Sequence, residues 1–200
     1  EADDPSSADQ RRVSDDSRQV LRATADLLCS LATTNQIPPD RHEDCWRCCR
    51  TLVAISLASR EPSQSDTGDS HDWIQAGLNS LAGDVTRLAI ELALAGYRQR
   101  QSGPNGAHDL PPSPSRDVDE PLTYALSTAC AGTGVEHGGA QAIIGMYLPQ
   151  VQLLVPGWAA FQLSDLAGRP ARTLDHPLVL AYLTHCPLYS GMFEIGLPIY

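Results

Sequence analysis

The stretch that decides the fold is DWIQAGLNSLAGDVTRLAIELALAGYRQR, residues 72–100. Its apolar side chains recur at alternating steps of four and three residues, the spacing of one face of an α-helix. This seam consists of Ile74, Leu78, Leu81, Val85, Leu88, Leu92 and Ala95. The pattern predicts one helix over 72–100, either facing the core of a bundle or pairing with another chain in a coiled coil. Gly77 and Gly83 weaken a helix and permit close approach of a neighbour.

Two more helices are predicted before this one. Residues 14–34 carry an apolar stripe, and Ser14 is a suitable N-cap. Residues 41–59 are apolar over more than half of the helix circumference, which predicts a central position for this second helix. The prolines between the two segments end the first helix. The sequence therefore predicts an all-α fold that begins with a three-helix bundle.

The second half of the chain is interrupted by glycine and proline but reads as mostly helical. Short helices are predicted over 122–131, 135–148, 158–167 and 177–185, with a strand or helical turn over 151–155. The predicted organisation is a flexible acidic arm (1–12), a helical bundle (13–101), a Pro/Gly-rich linker or arm (102–121) and an apolar half (122–200). We expect the apolar half to pack with the bundle as one domain.

The charge balance narrows the classes of partner. The net charge is −10, and a net anion is repelled by nucleic-acid backbones and by anionic membrane surfaces. No run of about 20 apolar residues exists that could insert into a membrane. We therefore expect a soluble protein with protein partners, without direct nucleic-acid binding or membrane insertion.

Charged residues become scarce after residue 120. Between 121 and 200 they are Glu136, Asp165, Arg169, Arg172, Asp175 and Glu194. With so few charged side chains, this half would expose apolar surface to water. Either the first half of the chain or another subunit must therefore shield it. The candidate interface residues are Trp158, Phe161, Leu188, Tyr189, Phe193, Ile199 and Tyr200. The pattern favours a non-enzymatic subunit of a larger assembly, such as a viral capsid, capsid-decoration or tegument-like component.

The basic residues suggest a second hypothesis. All 14 are arginine, and the chain has no lysine. GC-rich coding produces this bias, but so does selection against ubiquitination, which needs a lysine acceptor. The alternative function is therefore a lysine-free effector or toxin fragment directed at a host. The first hypothesis places the protein in a virion, and the second places it inside a host cell.

A cluster of thiols and one imidazole lies at the start of the second predicted helix. His42, Cys45 and Cys49 are spaced to share one helical face, and Cys29 on the first helix could complete a zinc site. The same geometry would permit a disulfide between Cys29 and Cys45. The favoured interpretation is buried free cysteines without a cofactor, with the disulfide and zinc as alternatives.

The segment Ser127-Thr128-Ala129-Cys130-Ala131-Gly132 resembles, over this short stretch only, the nucleophile turn of ketosynthases. The resemblance implies a thiol enzyme in which a helix N-terminus activates Cys130. That family's fold needs a much longer chain, and its histidine motifs have no counterpart at His176 or His185. We therefore expect Cys130 to face the core. No other catalytic motif is present, which favours a protein that is not an enzyme.

Overall fold

A computed structural model describes the backbone of residues 5–58, 72–102, 116–167 and 175–186, and the side chains of 15–57, 72–102, 120–166 and 175–186. Within this part, 87% of residues are helical and no strand occurs, which confirms the all-α prediction. The helices are α1 (Pro5–Thr33), α2 (His42–Ala58), α3 (Trp73–Leu78), α4 (Leu81–Gln101), α5 (Arg116–Ala131), α6 (Val135–Met146), α7 (Leu148–Leu154), α8 (Pro156–Ala167) and α9 (Pro177–His185).

The single helix predicted over 72–100 is two helices, α3 and α4, separated at Asn79 and Ser80. Ser80 has extended backbone angles, and its hydroxyl accepts a hydrogen bond from the Gly83 amide at 3.0 Å. This N-cap starts a new helix although the apolar spacing continues through it. Leu78 consequently leaves the predicted seam and is exposed. The rest of the seam, from Leu81 to Ala95, is buried.

Helix α4 occupies the centre of the fold, a position that the sequence had indicated for α2. It packs against α1, α2, α5, α6 and α7. Its first four turns are buried on every side, including the alanines between the larger apolar residues. Because its own chain surrounds α4, this helix is not available for an intermolecular coiled coil. Helices α1 and α2 each pack on α4 far more than on each other; a three-helix bundle of these elements stays a prediction.

Helix α6 lies between α3, α4 and α9, and glycines bring the backbones together. A Cβ built on Gly139 would lie 2.9 Å from the backbone nitrogen of Gly77. A Cβ built on Gly145 would overlap the carbonyl oxygen of Leu178 on α9. Eight consecutive residues of α6, 138–145, are buried in this way. The chain therefore shields a large part of its charge-poor half by itself, without a second subunit.

Several helix boundaries differ from those predicted. Helix α1 begins at Pro5, inside the predicted arm, and α5 begins at Arg116, inside the predicted linker. Pro121 lies early in α5, where a missing backbone N–H removes only one hydrogen bond. The segment 151–155 is largely helical, within α7. Helix α9 has the predicted bounds, 177–185. Among the described helices, none has the length and apolarity needed to cross a membrane.

Candidate functional site

A charged stripe on α4 ties this helix to α1. Arg22 donates from Nε to Oδ2 of Asp84 at 2.9 Å, and Arg87 donates to Oδ1 of Asp26 at 2.9 Å. Asp84 is buried, with 5% of its surface exposed. Burial raises the pKa of Asp84, while the nearby Arg22 guanidinium lowers it. The net direction is upward, so the ion pair does not fully offset the desolvation of the carboxylate.

The same stripe continues along α4 to Glu91. This buried carboxylate lies 3.6 Å from the Arg98 guanidinium and beside Tyr147. Burial raises the pKa of the Tyr147 phenol to about 12, and the adjacent Glu91 carboxylate acts in the same direction. The pairs Arg22–Asp84 and Arg87–Asp26 hold α1 and α4 together, whereas Glu91 and Arg98 pair within α4. Each charged side chain in the stripe therefore has an oppositely charged partner and is not a free reactive group.

We expect Arg22→Met to destabilise the protein by about 1–2 kcal/mol, because it leaves the Asp84 carboxylate buried without its main partner. The partial exposure of Arg22 keeps this loss moderate. The double variant with Asp84→Leu should recover most of the loss, since both charges are then gone. Urea denaturation followed by circular dichroism measures both values. A single variant as stable as the wild type would contradict this role of the ion pair.

The structure does not bring the predicted zinc ligands together. Cys29 faces α4 beside Arg87 and Glu91, whereas Cys45 lies beside Cys48 and Asp44 on its own helix. His42 lies against α4 near Arg100. Helices α1 and α2, which carry these residues, each pack mainly on α4 and share few contacts with each other. In the described part of the chain, no group of three or more histidine, cysteine or acidic side chains could hold a metal ion.

All six cysteines are free thiols in the structure, so the predicted alternative of a Cys29–Cys45 disulfide is not formed. Cys130 lies one residue from the end of α5 and packs against the core. Burial raises its pKa to about 12. A helix C-terminus also disfavours a thiolate, whereas the ketosynthase-like arrangement needs a helix N-terminus. The environment of Cys130 is therefore that of a structural thiol.

Alkylation rates test this assignment. A pKa near 12 lowers the thiolate fraction of Cys49 and Cys130 at neutral pH about 1,000-fold relative to an ordinary thiol. We expect native protein treated with iodoacetamide to leave both cysteines unmodified, and urea-unfolded protein to react at both. Peptide mass spectrometry at successive reaction times measures the extent of alkylation at each cysteine. Rapid native labelling of Cys130 would instead identify an activated nucleophile.

An aromatic surface lies where α8 meets α5. Trp158 on α8 donates from Nε1 to the hydroxyl of Ser127 on α5 at 3.0 Å. Phe161 lies one turn further along α8 and is 68% exposed, and Tyr124 lies one turn before Ser127 and is 44% exposed. We call Tyr124, Trp158 and Phe161 the aromatic surface. Two of the predicted interface residues thus lie together, while Leu188, Tyr189, Phe193, Ile199 and Tyr200 lie outside the described residues.

The aromatic surface is nearly free of charge. No Asp, Glu, Lys or Arg occurs between 137 and 164, nor between 121 and 131. Asp165, one turn beyond Phe161, is the nearest charged residue along α8. Tyr124 was not predicted as an interface residue. Its position outside the stripe formed by Leu122, Ala125 and Leu126, which are buried, could have indicated that it is exposed. An exposed aromatic group without charges is typical of a protein-binding surface.

A groove of about 720 Å³ lies between α2, α4 and α5. Its lining combines cationic, acidic and apolar side chains, namely Pro39, His42, Glu43, Trp46, Arg50, Gly96, Gln99, Arg100, Glu120 and Pro121. Gln99 donates from Nε2 to the carbonyl oxygen of Ile37 at 2.8 Å, which fixes one end of the groove. This groove was not predicted from the sequence, because nearly all of its lining residues come from three helices that are distant along the chain.

Comparison with known proteins adds no functional information. No protein-family model, no curated protein and no solved structure matches this chain.

Proposed function

We propose that the protein is a non-enzymatic assembly subunit that associates with a second copy of itself through the aromatic surface. The observation that carries the proposal is the 68% exposure of Phe161 in an aromatic surface that has few charged neighbours along α5 and α8. Burying a phenylalanine side chain fully contributes about 1.5–3 kcal/mol. Tyrosine and tryptophan are also enriched among the residues that dominate binding energy at interfaces. The aromatic surface thus supplies the kind of side chains that an interface centre needs.

The charge distribution favours a second copy as the partner at this surface. Two molecules that each carry a net charge of −10 repel one another over most of their surfaces. Along the two helices, the nearest charged residues are Glu120, one turn before Tyr124, and Asp165, one turn beyond Phe161. No charged residue belongs to the aromatic surface itself, so the three aromatic side chains can meet those of a second copy without directly opposing like charges. A two-fold axis through the surface would place Phe161 of each molecule against the other, as isologous contacts require.

The specific form of this proposal is a repeating subunit of a coat, a capsid decoration or a tegument-like layer. Such subunits need a rigid body with a contact surface rather than a reactive centre. The buried central helix α4 favours a rigid subunit, and the aromatic surface would provide the contact between subunits. The raised pKa of Cys130 and the different surroundings of Cys29 and Cys45 make the thiol enzyme and the zinc protein weaker alternatives.

Size-exclusion chromatography with light scattering tests the proposal on the full chain. A monomer has a mass of 21.5 kDa. We expect a mass above this value at micromolar concentration, falling towards the monomer on dilution because association follows mass action. A lone monomer throughout the micromolar range would contradict self-association.

A further inference from the structure

Two arginines in the groove between α2, α4 and α5 have no partner in the described residues. Arg50 and Arg100 form neither a hydrogen bond nor an ion pair there, whereas most of the other arginines with described side chains do. Guanidinium groups bind carboxylate and phosphate oxygens strongly because they present several donors in a fixed plane.

His42 also lines this groove. Its Nε2 atom is shielded from solvent and has no hydrogen-bond partner within the described part of the chain. Buried polar atoms are nearly always hydrogen-bonded, so this atom is an exception. Because it is shielded from solvent, a ligand in the groove would not reach Nε2 unless the imidazole moved, and the ligand contacts are assigned to the two arginines. The imidazole lies close to Arg100, and the two side chains therefore line the same portion of the groove.

The groove also offers an apolar contact. Trp46 is 5% exposed, and its remaining accessible surface lines the groove together with two prolines. The volume of about 720 Å³ lies within the usual range of small-molecule sites, about 300–1,000 Å³. Charged groups beside an aromatic wall suit a ligand with one polar end and one apolar end.

We propose that this groove binds a small organic oxyanion, a carboxylate or a phosphate ester, whose charged group contacts Arg50 and Arg100 and whose apolar body packs on Trp46. The site is separate from the aromatic surface, since none of its lining residues belongs to that surface.

The two acidic residues in the groove limit the size of the anion. Glu43 forms an ion pair with Arg47 at 3.5 Å along α2, and Glu120 lies near the start of α5. Their carboxylates would repel an extended chain of negative charges. The groove therefore suits a ligand with one compact anionic group and does not suit a polyanion such as a nucleic-acid backbone.

Isothermal titration calorimetry on the full chain tests the site with defined probes. Phenyl phosphate and phenylacetate carry the two candidate anionic groups on the same ring, benzyl alcohol carries no charge, and inorganic phosphate carries no ring. We expect at least one aromatic anion to bind, and the comparison between the two identifies the preferred group. Benzyl alcohol and inorganic phosphate should each bind at least about tenfold more weakly, because each lacks one of the two contacts.

Substitutions locate the binding. Arg50→Gln and Arg100→Gln should each weaken binding of the aromatic anion about 10- to 100-fold, the usual range for losing a charge-assisted contact. Arg18→Gln on α1 is the matched control, because it makes the same change in charge outside this groove and should leave affinity unchanged. Both groove arginines are exposed, so the fold should survive, as circular dichroism can verify. Failure of both aromatic anions to bind, equal binding of benzyl alcohol, or equal effects of all three substitutions would overturn the proposal.

Discussion

Replacing Gly145 by alanine is expected to destabilise the protein by about 2–3 kcal/mol. The new Cβ would overlap the carbonyl oxygen of Leu178 and approach Ala181, both on α9. Backbone atoms cannot move aside as a flexible side chain can, so α6 and α9 must separate. That separation would disturb packing along α6, which is buried between three helices.

The matched control is Gly157→Ala. Gly157 lies in α8, and a Cβ built there meets no atom within 4 Å. Alanine should therefore raise stability by about 0.4–1 kcal/mol, since it restricts the unfolded chain without a clash. Urea midpoints followed by circular dichroism compare the two variants with the wild type. Equal stability of the two alanine variants would show that α6 and α9 are not in backbone contact.

Replacing Phe161 by aspartate is expected to raise the dissociation constant for self-association about 100-fold. In the proposed interface the ring is buried against a second copy, and the substitution removes that burial. It also places carboxylates of two copies close together at the two-fold axis, where they repel. A combined loss of about 3 kcal/mol corresponds to the expected change in the dissociation constant. Sedimentation equilibrium measures the dissociation constants of the wild type and of the Phe161→Asp variant.

Val20→Asp on α1 is the control for the added charge. Val20 is 64% exposed, close to the exposure of Phe161, and lies on a different helix. The substitution adds the same charge, and we expect it to change the dissociation constant less than about threefold, since distant surface charges are screened at physiological salt. If both variants weaken association equally, the effect is one of net charge, and the aromatic surface is not the interface.

Local sequence signals were sufficient for the helices but not for their arrangement. Helix α9 has its predicted bounds because Pro177 favours the first helical position. The break at Ser80 was missed because apolar spacing continues through it, while the cap depends on one hydroxyl. The central position of α4 was missed because its buried small residues, such as Ala89 and Ala93, look neutral in an apolar pattern.

The candidate sites show the same division. Trp158 and Phe161 were predicted because they are aromatic residues in a segment without charges. Tyr124 joins them only through the contact between Trp158 and Ser127, which are 31 residues apart. The charge-poor half was expected to be shielded either by the first half of the chain or by another subunit. For α6 the chain itself provides the cover, because α3 and α4 of the first half pack on it together with α9. The area left for another subunit to cover is the smaller surface around α8.

Photo-crosslinking from position 161 tests the proposed interface most directly. Benzoylphenylalanine at this position keeps an aromatic ring, so it should preserve an aromatic contact while reacting with whatever lies next to it. We predict a covalent dimer of the full chain on a denaturing gel after illumination at micromolar concentration, with crosslinked peptides from α5 or α8 of the second copy. The same group at position 20 should give no dimer. A monomer alone from position 161, or equal dimer from both positions, would contradict assembly through the aromatic surface.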